Sequence, residues 1–127
     1  MQQLSELACV FIGGGLGSVC RYALGFLLPR LTMQHFPWAT LAANLTGCLV
    51  IGALIALFER KGAGVASLLL VTGFCGGFTT FSTFSNDTVQ MLRNGLYAMA
   101  ATYTLASLAG GLTLCLAGYA ALSQRDI

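Results

Sequence analysis

Four long stretches without a charged residue constrain the fold of this chain more than any other feature. They cover residues 7–20, 31–58, 62–86 and 94–124 and contain 14, 28, 25 and 31 residues. A helix needs about 20 apolar residues to cross a bilayer. The last three stretches are long enough, and the first reaches that length only if its helix continues through Arg21 to Leu28. We predict an all-α membrane protein with four transmembrane helices, at about 5–28, 39–58, 65–86 and 95–121.

The composition favours lipid as the solvent of this protein. Only 8% of the residues are charged, whereas a soluble globular domain has about 25%. The net charge of +2 is small and its basic residues are scattered, so we expect no nucleic-acid partner. The five cysteines lie inside apolar stretches without metal-ligand spacing, and we interpret them as buried small side chains. The connections between the predicted helices are short, which indicates a single transmembrane domain over residues 1–127.

The basic residues give almost no preferred orientation in the membrane. The side with the N-terminus, the second loop and the C-terminus holds Arg60, Lys61 and Arg125. The opposite side holds Arg30 and Arg93, and also Arg21 if its side chain extends that way. Because cytoplasmic loops normally hold the excess of Lys and Arg, this chain could insert in both orientations. An antiparallel, dual-topology homodimer would follow, and a fixed topology set by the slight excess is the alternative.

The third stretch contains polar residues that a lipid-facing helix would not need. Residues 71–85 read VTGFCGGFTTFSTFS, with six hydroxyl side chains and the pair Gly76-Gly77. A helix break at this pair would free carbonyl groups, which the membrane interior tolerates only where they face protein, water or an ion. We expect such a break in the third helix. The alternative is a Gly-rich helix crossing in which the Thr hydroxyls bond back to the preceding turn.

Two phenylalanines in this stretch suggest a site for a small anion. Phe81 and Phe84 are three residues apart and therefore share a helix face, with hydroxyl residues on either side. A Phe pair at this spacing is usually part of a core. However, aromatic ring edges carry positive potential, so ring edges and hydroxyl donors together can coordinate a small anion without a formal charge.

Polar residues in the other helices are few. Asn44 in the second helix has an amide that is costly in lipid, so it should face a pore or bridge to another helix. Arg21 is the cation nearest a span interior, and it either lines an electropositive entrance or extends to lipid phosphates. Glu6, Glu59 and Asp87 all fall at predicted helix ends. The chain contains no Ser/His/Asp set, phosphate loop or pair of interior carboxylates, so we do not expect an enzyme.

Three motifs together are similar to those of a known family of membrane proteins. They are GGFTTFSTFS at residues 76–85, TLAANL at residues 40–45, and GGGLG at residues 13–17 followed by Arg21. They resemble the bacterial fluoride channel family, CrcB/Fluc, and the resemblance extends over all four predicted helices. It implies a fluoride-specific channel in the cytoplasmic (inner) membrane, built as a dual-topology homodimer with two antiparallel pores along the subunit interface.

The resemblance also implies roles for individual residues. Phe81 and Phe84 correspond to pore phenylalanines whose ring edges coordinate fluoride, Asn44 to the pore asparagine, and Arg21 to the basic residue of the vestibule. In the family, a structural sodium ion that is not transported is held at the dimer interface by backbone carbonyls of the broken third helix. By motif position, the carbonyls would be those of two residues, Gly76 and Thr79.

A track of hydroxyl side chains is the remaining family feature. The resemblance assigns Thr83 and Ser85 to this track, and Ser107 and Tyr103 of the fourth helix extend it. Family members often have a second hydroxyl residue four positions after Ser107, where this chain has Gly111.

We therefore expect passive efflux of fluoride that lowers its cytoplasmic concentration without ATP or proton coupling. One alternative is a small multidrug-type, proton-coupled exporter, which would need an acidic residue well inside the first helix. The only acidic residue of that helix is Glu6, near its start. The other alternative is a membrane subunit with no transport of its own, in which Phe81 and Asn44 would serve packing.

Overall fold

The regular structure of this protein is helical. The computed structural model describes residues 1–32 and 36–123. Its elements are α1 (Gln2–Leu24), α2 (Trp38–Lys61), α3 (Val65–Ser67), a π-helical stretch (Leu68–Cys75), α4 (Gly76–Phe78), α5 (Phe81–Arg93) and α6 (Tyr97–Leu122). Arg125, which the charge comparison counts, lies outside the described residues.

Among the described residues, four helical units are long and apolar enough to cross a membrane. They are α1, α2, α6 and the segment Val65–Arg93, which we call the third span, with 23, 24, 26 and 29 residues. Their mean hydropathy lies between 1.5 and 2.2. The described part of the chain has no strand. The prediction of an all-α protein with four candidate transmembrane helices is thus confirmed.

The first helix ends at Leu24, whereas the sequence suggests a continuation to Leu28. The three residues after Leu24 donate their N–H groups to carbonyls three positions earlier, each at 3.0 Å, so the chain turns tightly. The side chain of Arg30 folds back and donates from Nη2 to the carbonyl of Tyr22 (2.8 Å), with its guanidinium 4.6 Å from the Tyr22 ring centroid. Pro29 disfavours helical backbone at the residue before it. Together these hydrogen bonds give partners to carbonyl groups in the last turn of α1.

Glycines bring α1 into backbone contact with the third span. A Cβ atom on Gly13 would overlap the carbonyl oxygen of Leu69, and one on Gly17 would overlap that of Phe74. By contrast, a Cβ atom on Gly15 would have no neighbour within 4 Å. Small residues allow such close approach where packing drives helix association in lipid.

The α2 and α6 helices approach each other in the same way. A Cβ atom on Gly52 would overlap the carbonyl oxygen of Cys115, and one on Gly118 would overlap that of Leu49. Along each helix the two contacts are three residues apart, which is less than one turn, so they form one site of close approach between α2 and α6.

Within the third span, helical backbone ends at Phe78 and resumes at Phe81. Gly76 is still helical (φ −62°, ψ −38°), whereas Thr79 (φ −88°, ψ 156°) and Thr80 (φ −151°, ψ 119°) are extended. The conformational change thus falls on the two threonines and not on Gly76. β-branched residues favour extended backbone, and Thr80 also caps the next helix, because its Oγ1 accepts from the N–H of Thr83 at 3.2 Å.

Candidate functional site

The extended threonines border a cavity of about 320 Å³, which we call the first cavity. Four residues of α2, six of the third span and two of α6 line it. The structure therefore brings together six residues that the sequence analysis singled out: Asn44, Gly76, Thr79, Phe81, Phe84 and Ser107. The cavity has a mainly apolar wall with a few polar groups, the usual constitution of a small-ligand site.

Asn44 is bound to the backbone of Thr80 through both ends of its amide. Its Nδ2 donates to the carbonyl oxygen of Thr80 at 3.0 Å, and its Oδ1 accepts from the Thr80 N–H at 2.7 Å. Asn44 therefore lines the first cavity and also joins α2 to the third span. One hydrogen of Nδ2 is not used by this pair of bonds.

The two phenylalanines lie side by side at the cavity. Their ring centroids are 5.7 Å apart, at an interplanar angle of 43°. Phe81 is 75% exposed in the single chain, whereas Phe84 is half-buried and its ring centroid lies 5.2 Å from that of Tyr103. The Phe84 ring is thus fixed by packing, and the Phe81 ring projects from the subunit.

The hydroxyl residues assigned to one track lie in different places. Ser107 lines the first cavity, and among the described residues its Oγ is the buried side-chain polar atom that lacks a hydrogen-bond partner. Thr83 lines a second cavity, and its Oγ1 accepts from Oγ1 of Thr80 at 3.3 Å. Ser85 and Tyr103 line neither cavity.

Gly111 is buried beside Cys48. A Cβ atom on Gly111 would lie 3.3 Å from Sγ of Cys48, so the thiol fills the space at this position. Cys48 also lines the first cavity. Beside the position where family members often have a second hydroxyl on the fourth helix, this chain therefore has the thiol of Cys48 from α2.

The second cavity, of about 400 Å³, has charged groups in its wall. Arg21, Arg30 and Asp87 line it together with Thr80, which lines both cavities. Arg21 also donates from Nε to the carbonyl of Gly77 at 3.2 Å. The Arg21 guanidinium is thus hydrogen-bonded to the third span within α4.

A cation at this site would depend on backbone oxygens. Within residues 1–32 and 36–123, no three His, Cys, Asp or Glu side chains cluster as metal ligands. In a continuous helix, the N–H of Thr80 would bond the Gly76 carbonyl and the N–H of Thr83 would bond that of Thr79. Here those two donors are bound to Asn44 Oδ1 and to Thr80 Oγ1. The two carbonyls therefore lose their helical donors, and carbonyl oxygen is a ligand suited to hard cations.

Sequence reasoning missed several residues of the site. Thr80 received no role, although its backbone is the partner of Asn44. Asp87, placed at a helix end from the sequence, is 7% exposed and accepts a hydrogen bond from Tyr103. Ser18 donates to the Gly77 carbonyl at 3.4 Å, beside Arg21. The one signal for these contacts is that each polar group inside a span needs a partner.

Comparison with known proteins gives consistent matches over most of the chain. The family model described as CrcB-like protein, Camphor Resistance (CrcB), matches residues 8–119. A protein of Phocaeicola vulgatus is 44% identical over 110 residues, which is 86% of this chain and 91% of that protein. One of Serratia proteamaculans is 46% identical over 118 residues, 91% of this chain and 92% of the relative.

A third relative, from Agrobacterium fabrum, is 45% identical over 117 residues, 91% of this chain and 94% of its own length. All three relatives are named fluoride-specific ion channel FluC. The four apolar helices and these matches identify a multi-pass membrane protein.

Proposed function

The chain belongs to the CrcB-like protein family, and on this premise we propose that it is a fluoride-specific ion channel. The names of its relatives support the substrate. The observation that carries the proposal is the first cavity, where Asn44, Phe81, Phe84 and Ser107 meet without a formal charge among them.

This set of donors suits the passage of a small, strongly hydrated anion. A selective site must replace the water around the ion, but it must not bind so strongly that the ion cannot leave. The available donors are the ring edges of Phe81 and Phe84, the unpartnered hydroxyl of Ser107 and the second Nδ2 hydrogen of Asn44. Each is weak alone, and several in sequence allow both entry and exit.

The pore is completed, in our proposal, by a second copy of the chain in the opposite orientation. Phe81 is 75% exposed and Gly76 is exposed in the single subunit, although both line the first cavity. An apolar cavity open at the subunit surface needs a protein wall if an anion is to cross there without contacting lipid. Two antiparallel subunits provide two such pores, and the near-equal distribution of basic residues permits this arrangement.

A structural sodium ion fits the break in the third span. The carbonyls of Gly76 and Thr79 lack their helical donors, and two copies of them would meet at the interface of the proposed dimer. When bound, the ion supplies positive charge that satisfies these carbonyls. The protein itself holds them in place through the bonds that Asn44 and Thr80 make to the neighbouring N–H groups.

The second cavity is the proposed vestibule. Arg21 and Arg30 attract anions there, and Thr80 and Thr83 continue towards the first cavity. Tyr103 gives its hydroxyl hydrogen to Asp87, so we assign it to the support of Phe84 and not to direct contact with the ion. The remaining member of the predicted track, Ser85, lines neither cavity.

The physiological role follows from acid chemistry. Neutral HF crosses lipid from acidic surroundings and dissociates in the more alkaline cytoplasm. A channel in the inner membrane then lets fluoride leave down its electrochemical gradient, aided by an inside-negative potential, so neither ATP nor proton coupling is needed.

The test is anion efflux from liposomes that contain the purified protein, with potassium and valinomycin to set the potential. We expect rapid loss of fluoride and little loss of chloride from matched vesicles. A folded, membrane-inserted protein that releases no fluoride would contradict the proposed function and would favour the non-transporting subunit.

A further inference from the structure

Asn44 lines the first cavity, and both ends of its side-chain amide bind protein backbone. It forms two hydrogen bonds with one residue, Thr80, and these bonds occupy both the N–H and the carbonyl of that residue (2.7 and 3.0 Å). The partners are 36 residues apart in sequence, on α2 and on the third span. Asn44 lies six residues into a 24-residue helix, so its backbone is held rigidly by α2.

The bond to the Thr80 N–H has a consequence at Gly76. If Asn44 did not accept this hydrogen, Thr80 would have an N–H group without a partner inside the span, which is costly in a membrane. The nearest remedy is the regular helical bond from Thr80 to the carbonyl of Gly76. That bond would extend α4 through Thr79 and give the Gly76 carbonyl a helical hydrogen bond.

We propose that Asn44 is a positioning residue: it binds the backbone of Thr80 and thereby keeps the Gly76 carbonyl free of a helical hydrogen bond. The purpose of this role rests on the proposed channel function. The two hydrogen bonds between Asn44 and Thr80 do not depend on that function. The role is distinct from direct contact with the anion, for which one Nδ2 hydrogen of Asn44 remains. Asn44 thus sets the backbone conformation of the third span from a neighbouring helix.

Two substitutions of similar size separate the two bonds. Asn44→Leu removes both. Asn44→Asp retains an oxygen that accepts from the Thr80 N–H and removes the donor to the Thr80 carbonyl. We expect Asn44→Leu to let the Gly76 carbonyl regain its helical hydrogen bond, and Asn44→Asp to leave it free.

The measurement is the ¹³C signal of the Gly76 carbonyl in full-length protein labelled with [1-¹³C]glycine in lipid bilayers, together with hydrogen exchange of the Thr80 amide. For Asn44→Leu we expect a downfield shift of the Gly76 signal, and fluoride efflux reduced about tenfold or more. For Asn44→Asp we expect the wild-type Gly76 position and a Thr80 amide that is still protected. Gly110 in the middle of α6 serves as the internal reference, because it should not move.

Thr46→Val is the matched control. Thr46 is an exposed residue of the same helix, two positions from Asn44, and its replacement should leave the Gly76 signal, the Thr80 amide and the efflux unchanged.

An unchanged Gly76 signal in a folded Asn44→Leu protein would overturn the proposal, even if its efflux were lost, because Asn44 would then act only on the anion. If Asn44→Leu does not fold, a wild-type measurement decides. Dipolar recoupling should connect the Thr80 ¹⁵N to the Asn44 ¹³Cγ, and the absence of this contact would refute the geometry. If wild-type protein conducts no fluoride, the proposed function fails, while the spectroscopic result still decides the role of Asn44.

Discussion

Tyr103 donates its hydroxyl hydrogen to Oδ2 of Asp87 across 3.1 Å, and both side chains are buried. The bond joins α6 to α5. Thr40 of α2 lies within hydrogen-bonding reach of both groups. The Tyr103 ring also packs against Phe84, with centroids 5.2 Å apart. A buried carboxylate is therefore connected through one tyrosine to a proposed pore residue.

Removal of the Tyr103 hydroxyl should destabilise the fold. In Tyr103→Phe the ring contact with Phe84 is kept, but Asp87 loses one of its two donors and retains Thr40, and a hydrogen bond lost from a buried polar group costs about 1–3 kcal/mol. We expect the free energy of unfolding to fall by this amount in a detergent titration. Tyr97→Phe is the control, because Tyr97 is 68% exposed, and it should be neutral. Equal stability of the two variants would show that the Asp87 bond contributes nothing.

The glycines of the first helix should differ sharply in their tolerance of alanine. Gly13→Ala and Gly17→Ala place a Cβ atom against backbone carbonyls of the third span, which cannot move away easily. We expect a loss of about 1–3 kcal/mol for each. Gly15→Ala adds a Cβ atom in open space and should be neutral or stabilising, since Ala has the higher helix propensity.

Thermal denaturation of the three proteins in the same detergent checks this order. A Gly15→Ala protein that is as unstable as Gly13→Ala would mean that the glycine run serves helix flexibility and not contact with the third span.

The number of spans was predictable because charge is excluded from lipid so strongly. The stretches without charge, together with the loop residues between them, predict helices at 39–58 and 95–121, and the structure has α2 at Trp38–Lys61 and α6 at Tyr97–Leu122. The end of α1 was harder to predict from the sequence, because the hydrogen bond from Arg30 to the Tyr22 carbonyl is a tertiary contact.

The interior of the third span was harder to predict. The sequence contains both a Gly pair and a Thr pair, and local preference does not decide which of them leaves the helix. The deciding bond comes from Asn44, 36 residues away. The sequence placed Asp87 at a helix end because the predicted third helix stopped at residue 86. In the structure Thr80 caps a new helix that continues to Arg93. Asp87 then lies inside it.

The cap at Thr80 should contribute measurably to stability. Thr80→Val preserves the β-branched shape that favours extended backbone but removes the oxygen that accepts from the Thr83 N–H. We expect a loss of about 1 kcal/mol in the same unfolding titration, and recovery in Thr80→Ser. Thr102→Val is the control, because the Thr102 hydroxyl bonds only the Ala98 carbonyl on an exposed face of α6. A Thr80→Val protein with wild-type stability would show that the cap is dispensable.

The two cavity phenylalanines should respond differently to replacement. Phe81→Ile removes a ring that is 75% exposed in the subunit, so fluoride efflux should fall about tenfold or more, while stability and formation of the proposed dimer are retained. Phe84→Ile should reduce efflux similarly and also cost about 1 kcal/mol of stability, because it loses the Tyr103 contact.

Efflux assays paired with cross-linking measure both effects. Wild-type efflux in a correctly assembled Phe81→Ile protein would remove the ring edge from the mechanism.

The reversal potential of the current in a planar bilayer tests the central claim most directly. With a tenfold gradient of fluoride, equal chloride on both sides and equal pH, a passive fluoride channel should reverse about 59 mV from zero. An added pH gradient should not move this value. Reversal near zero would contradict fluoride selectivity, and a reversal potential that follows the pH gradient would contradict passive conduction and favour a proton-coupled exporter.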